Sequence, residues 1–81
     1  MNVLYFAWLR ERIGVPSEAV ETSAATVREL VAELRAIDQW HDAALSDLDA
    51  VRVAVDQELS DLDAPLEGAR EVAFFPPMTG G

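Results

Sequence analysis

The spacing of apolar and polar side chains changes along the chain, and each change marks an element. Residues 1–7 form an apolar run rich in strand formers, and a shorter run over residues 18–21, containing Val20, follows the punctuation of Gly14 and Pro16. The two runs read as a first hairpin, with Trp8-Leu9-Arg10-Glu11-Arg12-Ile13 forming a helical turn that widens the connection. Thr26-Val27-Arg28-Glu29 has the form of a capping box, so a helix starts there. Val27, Leu30, Val31, Leu34 and Ile37 then recur at helical spacing with Arg28, Glu29, Glu33 and Arg35 opposite them, which predicts one stripe lying on a sheet. Residues 38–49 are more polar, and Trp40, Ala44, Leu45 and Leu48 supply enough apolar surface to seat a short helix or an irregular loop. Val51, Val53 and Val55 alternate with Arg52, Ala54 and Asp56, the period of a strand buried on one face. A short strand is expected near Leu59, turns at Pro65 and Gly68, and a last strand over Glu71-Val72-Ala73-Phe74-Phe75, ended by Pro76-Pro77.

Two hairpin-like halves separated by one amphipathic helix predict an α+β fold of the β-grasp type, a mixed sheet wrapped around one main helix. The expected division is a β-grasp domain over residues 1–75 and an extended tail over residues 76–81. The sheet face turned away from the helix has no second covering layer, so a large apolar residue placed there is exposed until a partner covers it.

Composition narrows the function. At 81 residues the chain is one small domain that buries only about 60% of its unfolded surface, too little to build an enzyme cleft of ordinary size. Six arginines, no lysine and 15 acidic residues give a net charge of −9, which repels phosphate backbones and argues against nucleic acid as a partner. There is no cysteine, hence no disulfide, thiolate nucleophile or thiolate metal site, which fits a reducing, cytoplasmic location. No stretch approaches the ~20 apolar residues of a membrane span, and Met1-Asn2-Val3-Leu4-Tyr5-Phe6 lacks the basic start of a signal peptide, so no membrane partner is expected.

The chemistry gathers at the C-terminus, Phe74-Phe75-Pro76-Pro77-Met78-Thr79-Gly80-Gly81. Pro76 and Pro77 favour extended backbone and stop the last strand, so the tail is expected to project like a finger whose six residues reach about 20 Å. Gly80 and Gly81 have no Cβ, so a narrow channel can close around them.

Val3-Leu4-Tyr5-Phe6-Ala7, Thr26-Val27-x-x-Leu30, Val53-Ala54-Val55-Asp56-Gln57-Glu58 and the aromatic-Pro-Pro-x-x-Gly-Gly ending together resemble the small subunits of molybdopterin synthase, ubiquitin-like sulfur carriers of molybdenum cofactor biosynthesis. The resemblance spans the whole chain, with Asp56 standing where the family commonly has Asn and Met78 where it commonly has Val. It implies that an E1-like adenylyltransferase, using ATP and Mg, activates the Gly81 carboxylate. A sulfur donor, a persulfide or a sulfurtransferase, then converts the adenylate to a thiocarboxylate. In the synthase the tail residues Pro76, Pro77, Met78, Thr79, Gly80 and Gly81 enter the large subunit. There the sulfur attacks cyclic pyranopterin monophosphate, in two rounds, to build the molybdopterin dithiolene. Gly81 is thus a co-substrate, and the chain is a non-catalytic subunit that itself binds no cofactor or metal. Ubiquitin-like folds bury the odd-numbered pair of strand one, Val3 and Tyr5, which turns Leu4 and Phe6 outward. Pleating in the last strand turns Phe75 the same way if Val72 and Phe74 face the core. Phe6, Leu59 and Phe75 are then the candidates for an apolar docking patch.

Other features carry less. His41, beside Trp40 and Asp42, has no serine or cysteine nucleophile motif near it and is expected to be a half-buried or surface residue. The pairs Asp47/Asp49 and Asp61/Asp63 lack the glycine and distal glutamate of a calcium loop and read as solvated surface. Trp8 and Trp40 are expected to pack in helices or loops. Two other functions fit a Gly-Gly terminus: a sulfur carrier for another product such as the thiamine thiazole, against which the aromatic-Pro-Pro approach argues, and a ubiquitin-like modifier joined to target lysines.

Overall fold

A computed structural model describes residues 1–77. β1 (Asn2–Tyr5) and β2 (Ser17–Ala19) pair antiparallel, with Val3 opposite Glu18. The second strand begins at Ser17 and stops at Ala19, earlier than the sequence pattern suggests, and Val20 still donates its N–H to the Met1 carbonyl at 2.8 Å. Between the strands lies α1 (Trp8–Ile13), closed by Gly14 at φ 99°, where a residue without Cβ accepts the left-handed conformation that ends a helix.

α2 (Val27–Arg35) is the main helix, and its capping box is formed: the Thr26 hydroxyl accepts from the Glu29 N–H, and the Glu29 carboxylate accepts from the Thr26 N–H at 3.1 Å. Two more amides of its first turn, those of Val27 and Arg28, donate to the carbonyls of Ala64 and Leu62, so the loop before the last strand satisfies groups that a helix start leaves free. Val27, Leu30, Val31 and Leu34 are buried as a stripe. Ile37 does not extend it. The helix ends at Arg35, the chain turns toward the next cap at Asp38, and Ile37 is left 48% exposed. α3 (Gln39–Ala44) seats Ala44 and, just beyond it, Leu45 in the core, but Trp40 points outward and is 57% exposed, contrary to its expected packing role. Trp8 is half-buried against the core, with Arg12 lying 4.7 Å over its ring. A single 3-10 turn, Leu48–Ala50, leads into β3 (Arg52–Val55), followed by β4 (Glu58–Ser60) and β5 (Glu71–Phe75).

The sheet order is β2-β1-β5-β3-β4. Among the described strands only β1 and β5 run parallel, so the first and last of them lie side by side near the centre of the sheet. That topology, with α2 on one face, is the β-grasp. Val3, Tyr5, Val53, Val72 and Phe74 point to the helix face, where Phe74 stacks on Tyr5 with ring centroids 6.2 Å apart. Full burial of each large apolar side chain contributes about 1.5–3 kcal/mol, and this layer against the α2 stripe is the main stabilising contact of the fold.

Candidate functional site

The strand registers define what the uncovered face presents. Leu4 lies opposite Ala73, Ala73 opposite Ala54, and Ala54 opposite Leu59, so these four form one row across the sheet on the side away from α2. Phe75, beside Arg52, begins the next row, and Phe6 follows β1, its N–H donating to the Phe74 carbonyl at 3.1 Å. The two alanines form a low floor, and Leu4, Phe6 and Phe75 rise around it, giving an open apolar groove of about 730 Å³ that Pro76 and Pro77 continue at the exit of β5. Phe6 is 48% exposed and Phe75 half-buried. Leu59 shares the face but stands on the edge strand, 75% exposed, outside the groove.

One end of the groove is set by the β3–β4 hairpin. Its two-residue turn, Asp56-Gln57, has positive φ at both positions (49° and 70°), the geometry whose twist suits a tight hairpin. Asp56 Oδ1 accepts from the backbone N–H groups of Arg70 and Glu71 at 2.9 and 3.0 Å, and its own N–H donates to the Glu71 carbonyl. The turn is therefore stitched to the start of β5, and Gln57 is held against the groove. An Asn side-chain oxygen at this position would accept the same two bonds.

On the helix side the structure corrects the expectation for His41, which is buried rather than half-exposed, at 5% accessibility. Its Nε2 lies 2.6 Å from Glu18 Oε2, its Nδ1 lies 2.8 Å from Asp38 Oδ1, and the Tyr5 hydroxyl donates to the same Glu18 oxygen at 2.6 Å. Burial acts to lower the His41 pKa, but hydrogen bonds to the two carboxylates outweigh it and hold the imidazole above its usual value. The backbone N–H and then the ring of His41 hold Asp38 below the usual carboxylate range, and burial followed by the Glu18 contact pushes Tyr5 up. Tyr5, Glu18, Asp38 and His41 do not line the apolar groove.

The remaining charges are local. Asp47 and Asp61 each turn a carboxylate back on the amide two residues on, those of Asp49 and Asp63, which explains the alternation of acids as turn chemistry. Arg28 pairs with Asp63 and Arg35 with Asp42 on the surface. Among the described residues no group of three or more His, Cys, Asp or Glu side chains is arranged to hold a metal ion, and no helix is long and apolar enough to cross a membrane.

A match to the ThiS family extends over residues 3–81, taking in all five strands, the groove and the Gly-Gly ending. The chain belongs to the ThiS family. Among relatives of this ThiS-family chain, the molybdopterin synthase sulfur carrier subunit of Haemophilus influenzae is 40% identical, covering all of this chain and 99% of the relative. The protein of the same name in Escherichia coli is 42% identical with the same coverage. The crystal structure of SAMP1 from Haloferax volcanii superposes with a TM-score of 0.79 at 25% identity, covering all of this chain and 98% of that one.

Of the site residues expected from the sequence, the ThiS-family fold brings Phe6, Phe75, Pro76 and Pro77 together at the groove and sets Leu59 at its flank. Met78, Thr79, Gly80 and Gly81 lie outside the described residues. Sequence reasoning left Leu4, Ala54 and Gln57 out of the patch. The signal for Ala54 was present in β3, where an alanine interrupts an otherwise polar outward face between Arg52 and Asp56.

Proposed function

We propose that this chain is the sulfur carrier subunit of a molybdopterin synthase and that the Gly81 carboxylate carries the sulfur. The observation that carries the reading is identity of 40% and 42%, over the whole chain, to two proteins of that name. A carboxylate is a poor electrophile because its leaving group would be oxide, so an E1-like partner first joins it to AMP from Mg-bound ATP, releasing pyrophosphate. The terminal sulfur of a persulfide, carried by a donor protein or a sulfurtransferase, then displaces AMP to give an acyl disulfide, and attack of a second thiol on the donor's sulfur releases the thiocarboxylate and leaves the donor oxidised to a disulfide. The large subunit of the synthase receives the charged tail and positions its sulfur on cyclic pyranopterin monophosphate, and two carriers supply the two sulfurs of the dithiolene.

This chain's own part is placement. The groove at Phe6 and Phe75 seats a partner, Leu59 adds apolar surface at the rim, and Pro76-Pro77 start the tail from the centre of a rigid sheet. Gly80 and Gly81 let a channel close on the backbone, and the net charge of −9 speeds encounter with a basic partner. The chain lacks cysteine, so its sulfur has to ride on the terminus, and a cytoplasmic, reducing location suits a thiocarboxylate. The test supplies thiocarboxylated protein to a molybdopterin synthase large subunit together with the pyranopterin precursor. The expected result is dithiolene formation with return of the free carboxylate. Charged protein that yields no product there, but is consumed by a thiazole-forming system or appears joined to lysines of other proteins, overturns the reading.

A further inference from the structure

Sulfur transfer leaves the buried cluster around His41 without a role, and its geometry is specific. Both ring nitrogens face carboxylate oxygens, Nε2 toward Glu18 at 2.6 Å and Nδ1 toward Asp38 at 2.8 Å. An ionised carboxylate only accepts, so each nitrogen has to bring a proton, and the ring that satisfies both is the imidazolium. Glu18 belongs to β2, at the edge of the sheet, whereas Asp38 caps α3 by also accepting the His41 N–H at 2.8 Å. Tyr5 of β1 completes the set, its hydroxyl on Glu18 and its ring edge-on to the imidazole at 6.1 Å. The other elements packed on α3 bring no further charge to the ring. Arg10, Glu11 and Arg12 of α1 are exposed, Arg12 over Trp8, and Arg35 of α2 is bonded to Asp42.

We propose that His41 is a doubly protonated clasp joining α3 to the β1–β2 edge, and that loss of one proton releases α3 while β1, β5 and β3 stay in place. A neutral ring turns a lone pair toward one of the carboxylates, which replaces a charge-assisted hydrogen bond by repulsion in a buried site. Tyr5 links β1 to the cluster, but the centre of the sheet is held by the β1–β5 and β3–β5 ladders and by the α2 stripe, none of which uses the His41 contacts. The sign of the pH dependence follows. The His41 pKa is raised on folding, so its contribution is fully present below the unfolded value of 6.5 and is lost as pH rises through the higher folded value. Asp38 is lowered, so its contribution is present above 3.8 and is lost as pH falls through the lower folded value. The clasp is therefore closed between about pH 4 and 6.5 and loosens on the alkaline side. It lies on the helix face of the sheet, opposite the groove, so it acts on local stability without touching the docking surface.

Imidazole nitrogen chemical shifts measured by NMR across a pH series, with residue-resolved amide exchange on the full chain, test this. The expected result is two protonated ring nitrogens in most molecules at pH 6.5, where an unperturbed histidine is half protonated. As His41 titrates, amides of residues 39–45 should exchange at least about tenfold faster than the base catalysis of exchange accounts for, while those of β5 should not. Glu18→Gln should lower the His41 pKa and move the α3 opening with it. An imidazole no more protonated at pH 6.5 than free histidine, or α3 protection indifferent to the His41 titration, overturns the proposal. Because the wild-type titration and Glu18→Gln carry the test, it does not depend on a variant at position 41 folding.

Discussion

Adjacent phenylalanines at the end of β5 face opposite sides of the sheet, and exchanging each for alanine should have opposite consequences. Phe74 is fully buried, stacked on Tyr5 at 6.2 Å and paired with Val53 across the strands. Removing a ring from such a site costs about 3–5 kcal/mol through lost transfer energy and the cavity left behind. Loss of the aromatic pair adds about 0.5–1.5 kcal/mol. A domain of this size has roughly 4–12 kcal/mol in total, so Phe74→Ala should lose about a quarter or more of the stability, and each kilocalorie should lower the melting temperature by about 4–8 °C. Phe75 is half-buried on the sheet face away from α2, so Phe75→Ala should change stability by less than about 1 kcal/mol. Its cost should appear in binding, at about 2 kcal/mol or roughly thirtyfold in affinity for the synthase large subunit, because a ring in the wall of the groove is placed to anchor a partner. Thermal and urea unfolding of each variant, with titration against the large subunit, measures both. If Phe74→Ala melts like the wild type while Phe75→Ala unfolds, the two faces of β5 are inverted and the docking groove is misassigned.

Other perturbations isolate single contacts. Thr26→Ala removes the cap of α2 and should cost about 1 kcal/mol in urea unfolding, since the Glu29 N–H loses its acceptor. Asp56→Asn should be within about 0.5 kcal/mol of wild type, whereas Asp56→Ala, which frees the N–H groups of Arg70 and Glu71, should cost about 1 kcal/mol or more and weaken partner binding by letting Gln57 move. Arg28→Ala should shift the melting midpoint little, because its pair with Asp63 is solvent-exposed and worth no more than about 1 kcal/mol.

The elements with strong local signals were legible in the sequence. The capping box at Thr26 and the stripe from Val27 to Leu34 fixed the start and face of α2, and the alternation around Val53 together with Pro76-Pro77 marked the strands that carry the site. Periodicity overran at Ile37 because an apolar residue in helical register cannot reveal that the backbone has already turned toward the Asp38 cap. Trp40 misled in the same way, since its size suggests burial but its place on α3 is decided by which side Ala44 and Leu45 occupy. The groove was only partly visible. Phe75 follows from pleating, and the outward turn of Leu4 and Phe6 from the resemblance to ubiquitin-like folds, but that Leu4 and Ala54 meet at one floor depends on a register that pairs β1 and β3 with the same distant strand. The His41 cluster was hidden for that reason too: Tyr5, Glu18 and Asp38 are scattered in sequence, and only the β1–β2 pairing and the packing of α3 bring them to one imidazole.

The most direct measurement of the central claim is the intact mass of the protein after incubation with ATP, Mg²⁺, a cognate E1-like enzyme and a sulfur source, followed by tandem fragmentation. The account predicts a gain equal to one oxygen-to-sulfur exchange located on Gly81, abolished by deleting Gly81 while the melting curve stays unchanged. Sulfur located on any other residue, or no gain with an activating enzyme shown to be competent, would contradict it.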